Sequence, residues 1–394
     1  MPGRRRDRGP APRPAAPRRP QRPEIVETRI ERLAGDGSGV GRHPDGRVLF
    51  VPGAAPRDRL RVRLIESRRR LARGEIETIL DGGPDRVTPP CPVAGRCGGC
   101  SWQHVAYGAQ VAAKAAIVAD ALRRIGGLRI DAPIPITPSP EPYGYRGRAR
   151  LLVRGGRPGF RAGRSRDHVA VTDCPVLAPP LRAALGRLAA AADGEAAAAD
   201  GQWELALGAP GPERPDGVRC VPLAAASGGA AEDLEIEAGG ERVRIAPGGF
   251  AQANHLLLDA LAEGVCAAAG TGEALLELYA GAGFLTLPLA RRFTRVLAVE
   301  ADPEAVAGLS RSAREAGLAG VEARAADTAA FLAGPAPRAF APEVLCVDPP
   351  RTGLGPEIVA PLCAPGPRRL VYLSCEPATL ARDLAGLVAG GWHL

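Results

Sequence analysis

Apolar and polar residues alternate along the first patterned stretch of the chain. Glu24-Ile-Val-Glu-Thr-Arg-Ile30, Arg47-Val-Leu-Phe-Val51, Asp58-Arg-Leu-Arg-Val-Arg-Leu-Ile65 and Gly74-Glu-Ile-Glu-Thr-Ile79 each repeat with period two. That period buries one face of a strand and wets the other. Glycine-rich turns such as Asp36-Gly-Ser-Gly-Val-Gly41 separate the runs, so residues 24–82 are expected to form a small OB-like β-barrel. From Gly248 the pattern changes to apolar runs of strand length alternating with helix-length stretches, several opened by proline or aspartate. Ala274–Tyr279, Arg295–Glu300, Val321–Asp327, Val344–Asp348 and Arg368–Cys375 are the strand candidates. They predict an α/β domain over 248–394 with a doubly wound, mainly parallel sheet.

The stretch between, 83–247, reads as a mixed α+β domain. It holds a helical run from Gln103 to Arg124, a turn leading into a strand over Glu141–Val153, an alanine-rich helix and loop over 178–200, and further strands over 200–245. Residues 1–23 are almost entirely Arg, Pro, Ala and Gly. They cannot bury enough apolar surface to fold and are expected to be a disordered basic arm.

Composition narrows the class. No apolar run in the 394 residues reaches the ~18 needed to cross a membrane, and no apolar stretch follows the first charges as a secretory signal would. A soluble, cytoplasmic, monomeric protein without a membrane partner is the expectation. The formal charge of +8 favours a polyanionic partner. Yet arginine supplies all basic residues but Lys114, which with the abundance of Ala, Gly and Pro reads as coding bias, so charge alone argues weakly for nucleic acid. The outward positions of the barrel strands carry Arg59, Arg61 and Arg63, followed by Arg68, Arg69 and Arg70, a surface suited to tracking phosphates.

Nine cysteines without a secretory signal point to metal ligation or catalysis more than to disulfides. Cys91, Cys97 and Cys100 form a tight trio whose Gly98 and Gly99 let the backbone wrap a centre, and Cys174 stands in Thr172-Asp-Cys-Pro-Val176. Four thiolates suit zinc or an iron–sulfur cluster equally on chemistry alone. Cys220, Cys266, Cys346 and Cys363 read as ordinary core or surface residues.

A second constellation lies at the carboxyl ends of the predicted parallel strands, where open α/β sheets bind their ligands. Gly281 and Gly283 follow the first strand in Glu277-Leu-Tyr-Ala-Gly-Ala-Gly-Phe284, letting the backbone approach a bound nucleoside or carboxylate. Glu300 ends the second strand, placed to accept from ribose hydroxyls, and Asp327 closes the third, placed to meet an adenine amino group. Asp302 and Asp327 also read, one by one, as helix caps. The longer G-x-G-x-x-G fingerprint of dinucleotide sites is missing, so the set suits S-adenosylmethionine (SAM) better than NAD. Phe250-Ala-Gln-Ala-Asn254 supplies an amide, Gln252, at the rim; Phe250 fits a core staple or a stacking platform equally well. Asp348 ends the fourth strand, and Cys375 ends the last in Arg369-Leu-Val-Tyr-Leu-Ser-Cys375-Glu-Pro-Ala-Thr379, a position open to a nucleophile.

These motifs carry a resemblance. Residues 24–81 resemble a TRAM domain, an RNA-binding barrel. Cys97-Gly-Gly-Cys100-Ser-Trp-Gln-His104 resembles a [4Fe–4S] loop, and Phe250-x-Gln252-x-Asn254, Leu278-Tyr-Ala-Gly-Ala-Gly283, Asp348-Pro-Pro-Arg351 and Ser374-Cys-Glu-Pro-Ala-Thr-Leu-Ala-Arg-Asp383 occur in the order found in the SAM-dependent RNA uracil-C5 methyltransferases. The resemblance covers 24–394 and implies a class I methyltransferase fold. A barrel plus a cluster looks like the branch acting on 23S ribosomal RNA. Carried over, Cys375 is the nucleophile that adds to C6 of uracil. Gln252, Tyr279, Gly281, Gly283, Glu300, Asp327 and Asp348 match the SAM pocket, with Asp348 also beside the reacting base. Cys91, Cys97, Cys100 and Cys174 match the cluster ligands, and His104 a neighbour of that loop.

Two departures stand out. Phe284 occupies a position where the family usually has a polar Asn. The family's general base is a Glu about 35 residues beyond the nucleophile, and the sequence read here stops at Leu394, before the expected last strands. On the sequence alone, slow resolution of the covalent adduct is therefore an expectation, with an RNA-binding protein of impaired turnover as the alternative. A cytosine-C5 methyltransferase fits less well, since Asp348-Pro-Pro-Arg stands where a Pro-Cys belongs.

Overall fold

The computed structural model describes residues 24–394 apart from 193, 195–196, 227–232 and 365, so the basic arm lies outside the described residues. The period-two runs close into a barrel. Strands β1 (Ile25–Leu33), β2 (Gly39–Arg42), β3 (Val48–Val51), β4 (Arg59–Ser67) and β5 (Leu71–Asp81) pair in the order β1-β2-β3-β5-β4, with β3 and β5 parallel. Val26, Ile30, Leu49, Val51, Leu60 and Val62 fill the interior, while Arg59, Arg61 and Arg63 of β4 face solvent. Asp58, fully buried, accepts from the Ala55 N–H at 2.6 Å and the Gly83 N–H at 2.8 Å and pairs with Arg86. Burial pushes that carboxyl up, but these partners outweigh it and hold it below the ordinary carboxylate range.

The middle of the chain runs through α1 (Tyr107–Arg124), β6 (Arg148–Arg154), β7 (Arg157–Arg161), β8 (His168–Ala170), α2 (Pro179–Ala190), β9 (Gly201–Leu207), β10 (Val218–Pro222), the single turn α3 (Leu223–Ala226) and the hairpin β11 (Leu234–Ala238) and β12 (Glu241–Ile245). The first five of these strands make an antiparallel sheet of order β10-β9-β6-β7-β8. Helix α2 packs Leu181 and Leu185 against Leu151 and Leu205 of that sheet. Buried Glu204 joins the strands, accepting from Arg148 Nε at 2.8 Å and pairing with Arg219 at 2.7 Å. The first helix begins four residues later than the sequence pattern suggests. The Val105 N–H instead closes a turn on the Trp102 carbonyl, and Val105 bridges back to Arg86.

The last part contains α4 (Leu258–Ala269), β13 (Gly272–Leu278), α5 (Thr286–Ala290), β14 (Phe293–Glu300), α6 (Pro303–Glu315), β15 (Val321–Ala325), α7 (Thr328–Ala333), α8 (Ala336–Phe340), β16 (Val344–Val347), α9 (Pro356–Leu362), β17 (Arg369–Tyr372) and α10 (Pro377–Ala389). Its five strands are all parallel, in the order β15-β14-β13-β16-β17. Strands covered on both faces read as continuous apolar runs, as Ala274, Leu275, Leu276 and Leu278 do. Leu234, Ile236, Val243 and Ile245 of the β11–β12 hairpin share an apolar cluster with Leu258, Leu287 and Ala313, so the hairpin packs onto this α/β unit. Strand order reverses on either side of β13, which opens a crevice at the carboxyl ends there. Two strands end two or more residues short of the pattern. β15 stops before Asp327, and β17 stops three residues before Cys375, because Pro377 starts a helix that cannot continue the ladder. Among the described residues no helix is long and apolar enough to cross a membrane.

Candidate active site

Register sets the level of the site. Leu278 pairs with Val299 on one side and Val347 on the other, and Val347 pairs with Tyr372. Tyr279, Glu300, Asp348 and Leu373 therefore emerge side by side at one edge of the sheet. The chain turns sharply after β13: Tyr279 has φ +62°, Gly281 +54° and Gly283 +96°. A Cβ on Gly283 would stand 2.9 Å from the Leu309 side chain of α6, whereas one on Gly281 would meet nothing within 4 Å. Gly283 is thus needed for helix packing and Gly281 for a left-handed turn beside open space.

The Glu300 carboxylate is held by this turn. Its Oε2 accepts from the Gly281 N–H at 2.9 Å and its Oε1 from the Asp302 N–H at 2.9 Å. Each oxygen keeps a further lone pair for a ligand. Asp302 and Asp327 cap α6 and α7, accepting from Glu304 N–H and Ala330 N–H at 2.9 Å each; the cap reading of both holds, and for Asp327 it coexists with a place at the crevice. Tyr279 lies next to it. Burial raises its phenol while a hydrogen bond from Thr328 works the other way.

On the other side of β13, burial lifts the Asp348 carboxyl to about 6. The Leu373 N–H still bonds the Val347 carbonyl at 2.9 Å. The chain then leaves the sheet, and Cys375 stands exposed between the Ser374 turn and Glu376, which caps α10. The Asp348-Pro-Pro-Arg351 loop is tied to that helix. Thr379 Oγ1 donates to the Arg351 carbonyl at 3.1 Å, and buried Asp383 accepts from the Leu354 N–H at 2.7 Å and the Tyr372 hydroxyl at 2.8 Å. Asp383 was visible in the motif but not as this clamp, because its partners lie on other elements.

Sequence reasoning also passed over Glu277. It is 2 % exposed and sits one residue before the end of β13, between Ala298 and Cys346. Burial, with the charges of Asp348 and Glu300 adding to it, raises its carboxyl to about 8. The Thr286 hydroxyl faces it and works against that rise, although neither Glu277 Oε2 nor Thr286 Oγ1 has a partner at hydrogen-bond distance. An acid at the start of a glycine turn was the available signal.

Gln252 is half-buried on the segment entering α4. That segment is pinned to the central domain by the Gly147 N–H on the Ala253 carbonyl at 2.8 Å and by Asn254 Nδ2 on Ser139 Oγ at 3.2 Å. Ala251 belongs to the same apolar cluster as Ala282 and Phe284, which puts Gln252 by the glycine turn. Phe284 packs in the core, which accounts for its apolar character. Phe250 is 70 % exposed, so it is no core staple.

The four cysteines come together across the chain. Cys91, Cys97, Cys100 and Cys174 line one void of about 20 Å³ with Gln103 and Arg146. Burial raises the Cys97 thiol and pushes Cys174 up to about 11. Among the described residues, no three His, Cys, Asp or Glu side chains stand ready to hold a metal ion. His104 is buried with Nε2 3.2 Å from the Ala54 carbonyl, a link to the barrel.

Residues 229–390 match the tRNA (Uracil-5-)-methyltransferase family and residues 21–76 the TRAM domain. The 23S rRNA (uracil(1939)-C(5))-methyltransferase RlmD of Pseudomonas putida is 34 % identical over 403 residues, 93 % of this chain and 88 % of that protein. The protein of the same name from Edwardsiella ictaluri is 35 % identical, covering 91 % and 88 %. The tRNA (uracil-54, C5)-methyltransferase of Pyrococcus abyssi shares the fold, with a TM-score of 0.68 at 23 % identity over 91 % of this chain and 92 % of that one. The chain belongs to the SAM-dependent RNA uracil-C5 methyltransferases, built on a class I methyltransferase sheet with an N-terminal TRAM barrel.

Proposed function

We propose that the RNA methylated by this chain is 23S rRNA and that methyl transfer runs through a covalent adduct on Cys375. The observation that carries the adduct is the pairing of β16 with β17. It brings Asp348 and the Cys375 loop together at the crevice where Tyr279, Glu300 and Asp327 also gather. SAM, whose product S-adenosyl-L-homocysteine occupies the Pyrococcus neighbour, supplies an electrophilic methyl group. Gly281, Gly283 and Gln252 shape its rim, Glu300 accepts from its ribose, and Tyr279 and Asp327 flank its adenine.

Uracil C5 is too weak a nucleophile to take that methyl group unaided. Cys375 stands exposed just before the amino end of α10. Its thiolate adds to C6, the electron pair moves to C5 and O4, and C5 takes the methyl group. A base then removes the C5 proton and the pair returned to the ring expels the thiolate. Asp348 accepts from the polar edge of the base as it sits out of the stack.

We infer that Cys91, Cys97, Cys100 and Cys174 hold a [4Fe–4S] cluster, with zinc as the competing occupant. Four sulfur donors around one void, beside an Arg146 whose Nε is buried without a partner, fit a group with inorganic sulfide to accept that N–H. Iron, sulfide and zinc analysis of anaerobically purified protein separates the two.

The function is tested by incubating the protein with radiolabelled SAM and a 23S fragment. Label in 5-methyluridine, and a slower band on a denaturing gel that Cys375→Ala abolishes, are the expected results. Label transfer that survives Cys375→Ala would sink the covalent route. The same gel reports release, since adduct accumulates if no base takes the C5 proton.

A further inference from the structure

Beside the cysteine loop a pocket of about 430 Å³ opens between residues 99–103, the first turns of α1, the 136–145 segment and Asn254. Aromatic residues are sparse in this chain, yet three of its five tyrosines, Tyr107, Tyr143 and Tyr145, line this one pocket together with Trp102. The only lysine, Lys114, is exposed at its mouth with Nζ 5.9 Å from the Trp102 ring centroid. Gln103, on the wall shared with the cysteine void, is 9 % exposed and its Oε1 has no partner. The Tyr107 hydroxyl is spent on the Ser139 carbonyl at 3.0 Å, so that ring is fixed as a wall.

Flat rings, one cation at the rim and a buried unpaired acceptor form a complementary set. The rings suit the π-face of an unpaired base, and the ammonium suits the phosphate that follows it. A buried acceptor without a partner costs free energy until a donor arrives, and every nucleobase offers an amino or imino N–H on its pairing edge. Glu141 also lines the pocket and can accept from an exocyclic amino group. The site lies close to the chemistry. Asn254 is two residues from Gln252, a span of about 7 Å, and α1 packs along α10, the helix that Cys375 precedes.

We propose that this pocket captures an unpaired nucleobase of the substrate RNA, near in sequence to the uridine that is methylated, and so helps select the target. The proposal rests on the RNA methyltransferase reading. It assigns recognition to the central domain as well as to the barrel.

The test uses the full chain with its metal content measured, a 23S fragment and SAM. Tyr143, half-exposed and outside the catalytic set, is changed to Ala and to Phe. Loss of one stacked base predicts a rise of about 5- to 150-fold in the RNA Kd and KM for Tyr143→Ala, with kcat, SAM affinity and metal content unchanged, and recovery in Tyr143→Phe. Lys114→Ala is expected to lower the slope of log K against log salt by about one. Photocrosslinking of bromouridine-substituted RNA is expected to map to Trp102 or Tyr143. Parent-like RNA affinity in Tyr143→Ala, or crosslinks confined to the barrel, would overturn the pocket while leaving methylation intact. Absence of any methylation by the parent chain would instead remove the functional reading beneath it.

Discussion

Glu277→Gln offers the sharpest physical test of the crevice. Glu277 is buried near the carboxyl end of β13 without a partner at hydrogen-bond distance on Oε2, and its carboxyl is raised from an ordinary 4.5 to about 8. In the unfolded chain the group loses its proton near 4.5, while the folded chain keeps it until about 8. Between those values the unfolded state binds fewer protons, so folding stability falls as pH rises and levels off only above the folded value. One such proton costs about 1.4 kcal/mol per pH unit, and the whole interval amounts to an upper figure of about 5 kcal/mol. Glutamine has nearly the same shape and does not titrate.

The assay is a set of denaturant unfolding curves for parent and variant at pH 5, 6, 7 and 8. Below pH 5 the two are expected to differ little. The gap in favour of Glu277→Gln should then widen by about 1.4 kcal/mol per unit before flattening near 8. Asp348 titrates in the same sense and its charge adds to the rise of Glu277, so the difference reports Glu277 together with its coupling to Asp348. Parallel curves across the range would show that Glu277 ionises freely in the fold and that the crevice floor is wetter than its burial implies.

Three further outcomes follow from the same geometry. Glu300→Ala removes the acceptor for ribose and the partner of the Gly281 N–H, and should weaken SAM about 10- to 100-fold by calorimetry, since bonds to charged groups contribute about 1.5–3 kcal/mol. Asp348, raised to about 6, accepts from the base most strongly when ionised, so methyl transfer should climb as pH rises through about 6; Asp348→Asn should lose that limb along with most activity. Glu204→Ala removes the carboxylate partner of Arg148 and Arg219 in the central sheet, and thermal and denaturant unfolding should register a loss of about 3–5 kcal/mol.

Much of the architecture was legible because it rests on period. The barrel strands alternate, and Leu60 and Val62 point in while Arg59, Arg61 and Arg63 point out. The parallel strands read as apolar runs because both faces are covered. The places of the candidate residues at strand ends were legible for the same reason, since the end of an apolar run is the end of burial. What escaped depends on contacts between distant segments. Asp383 looks like a solvent-facing acid on α10 until Leu354 and Tyr372 arrive to bond it. Glu277 looks like a polar lapse in a strand until Thr286 and Cys346 close over it. The start of α1 was misplaced because nothing local announces that Trp102–Val105 turns to meet the barrel. Phe250 offered no local means of choosing between core and surface; its 70 % exposure comes from the pinning of Ala253 and Asn254 to the central domain.

That pinning bears on how three units serve one reaction. A crevice at the end of a parallel sheet can hold SAM by itself, but it cannot extract a uridine from structured RNA without grips on the flanking nucleotides. The chain connects those grips to the crevice through short, hydrogen-bonded links. His104 ties the cysteine loop to the barrel through the Ala54 carbonyl, Asn254 and Ala253 tie the rim of the crevice to the central domain, and α1 ties both to the helix behind Cys375. A cluster held by Cys91, Cys97, Cys100 and Cys174 would stiffen the loop from which two of these links depart. Its loss is then expected to raise the KM for RNA far more than that for SAM, because Glu300, Tyr279 and the glycine turn are set by the parallel sheet and by bonds within it.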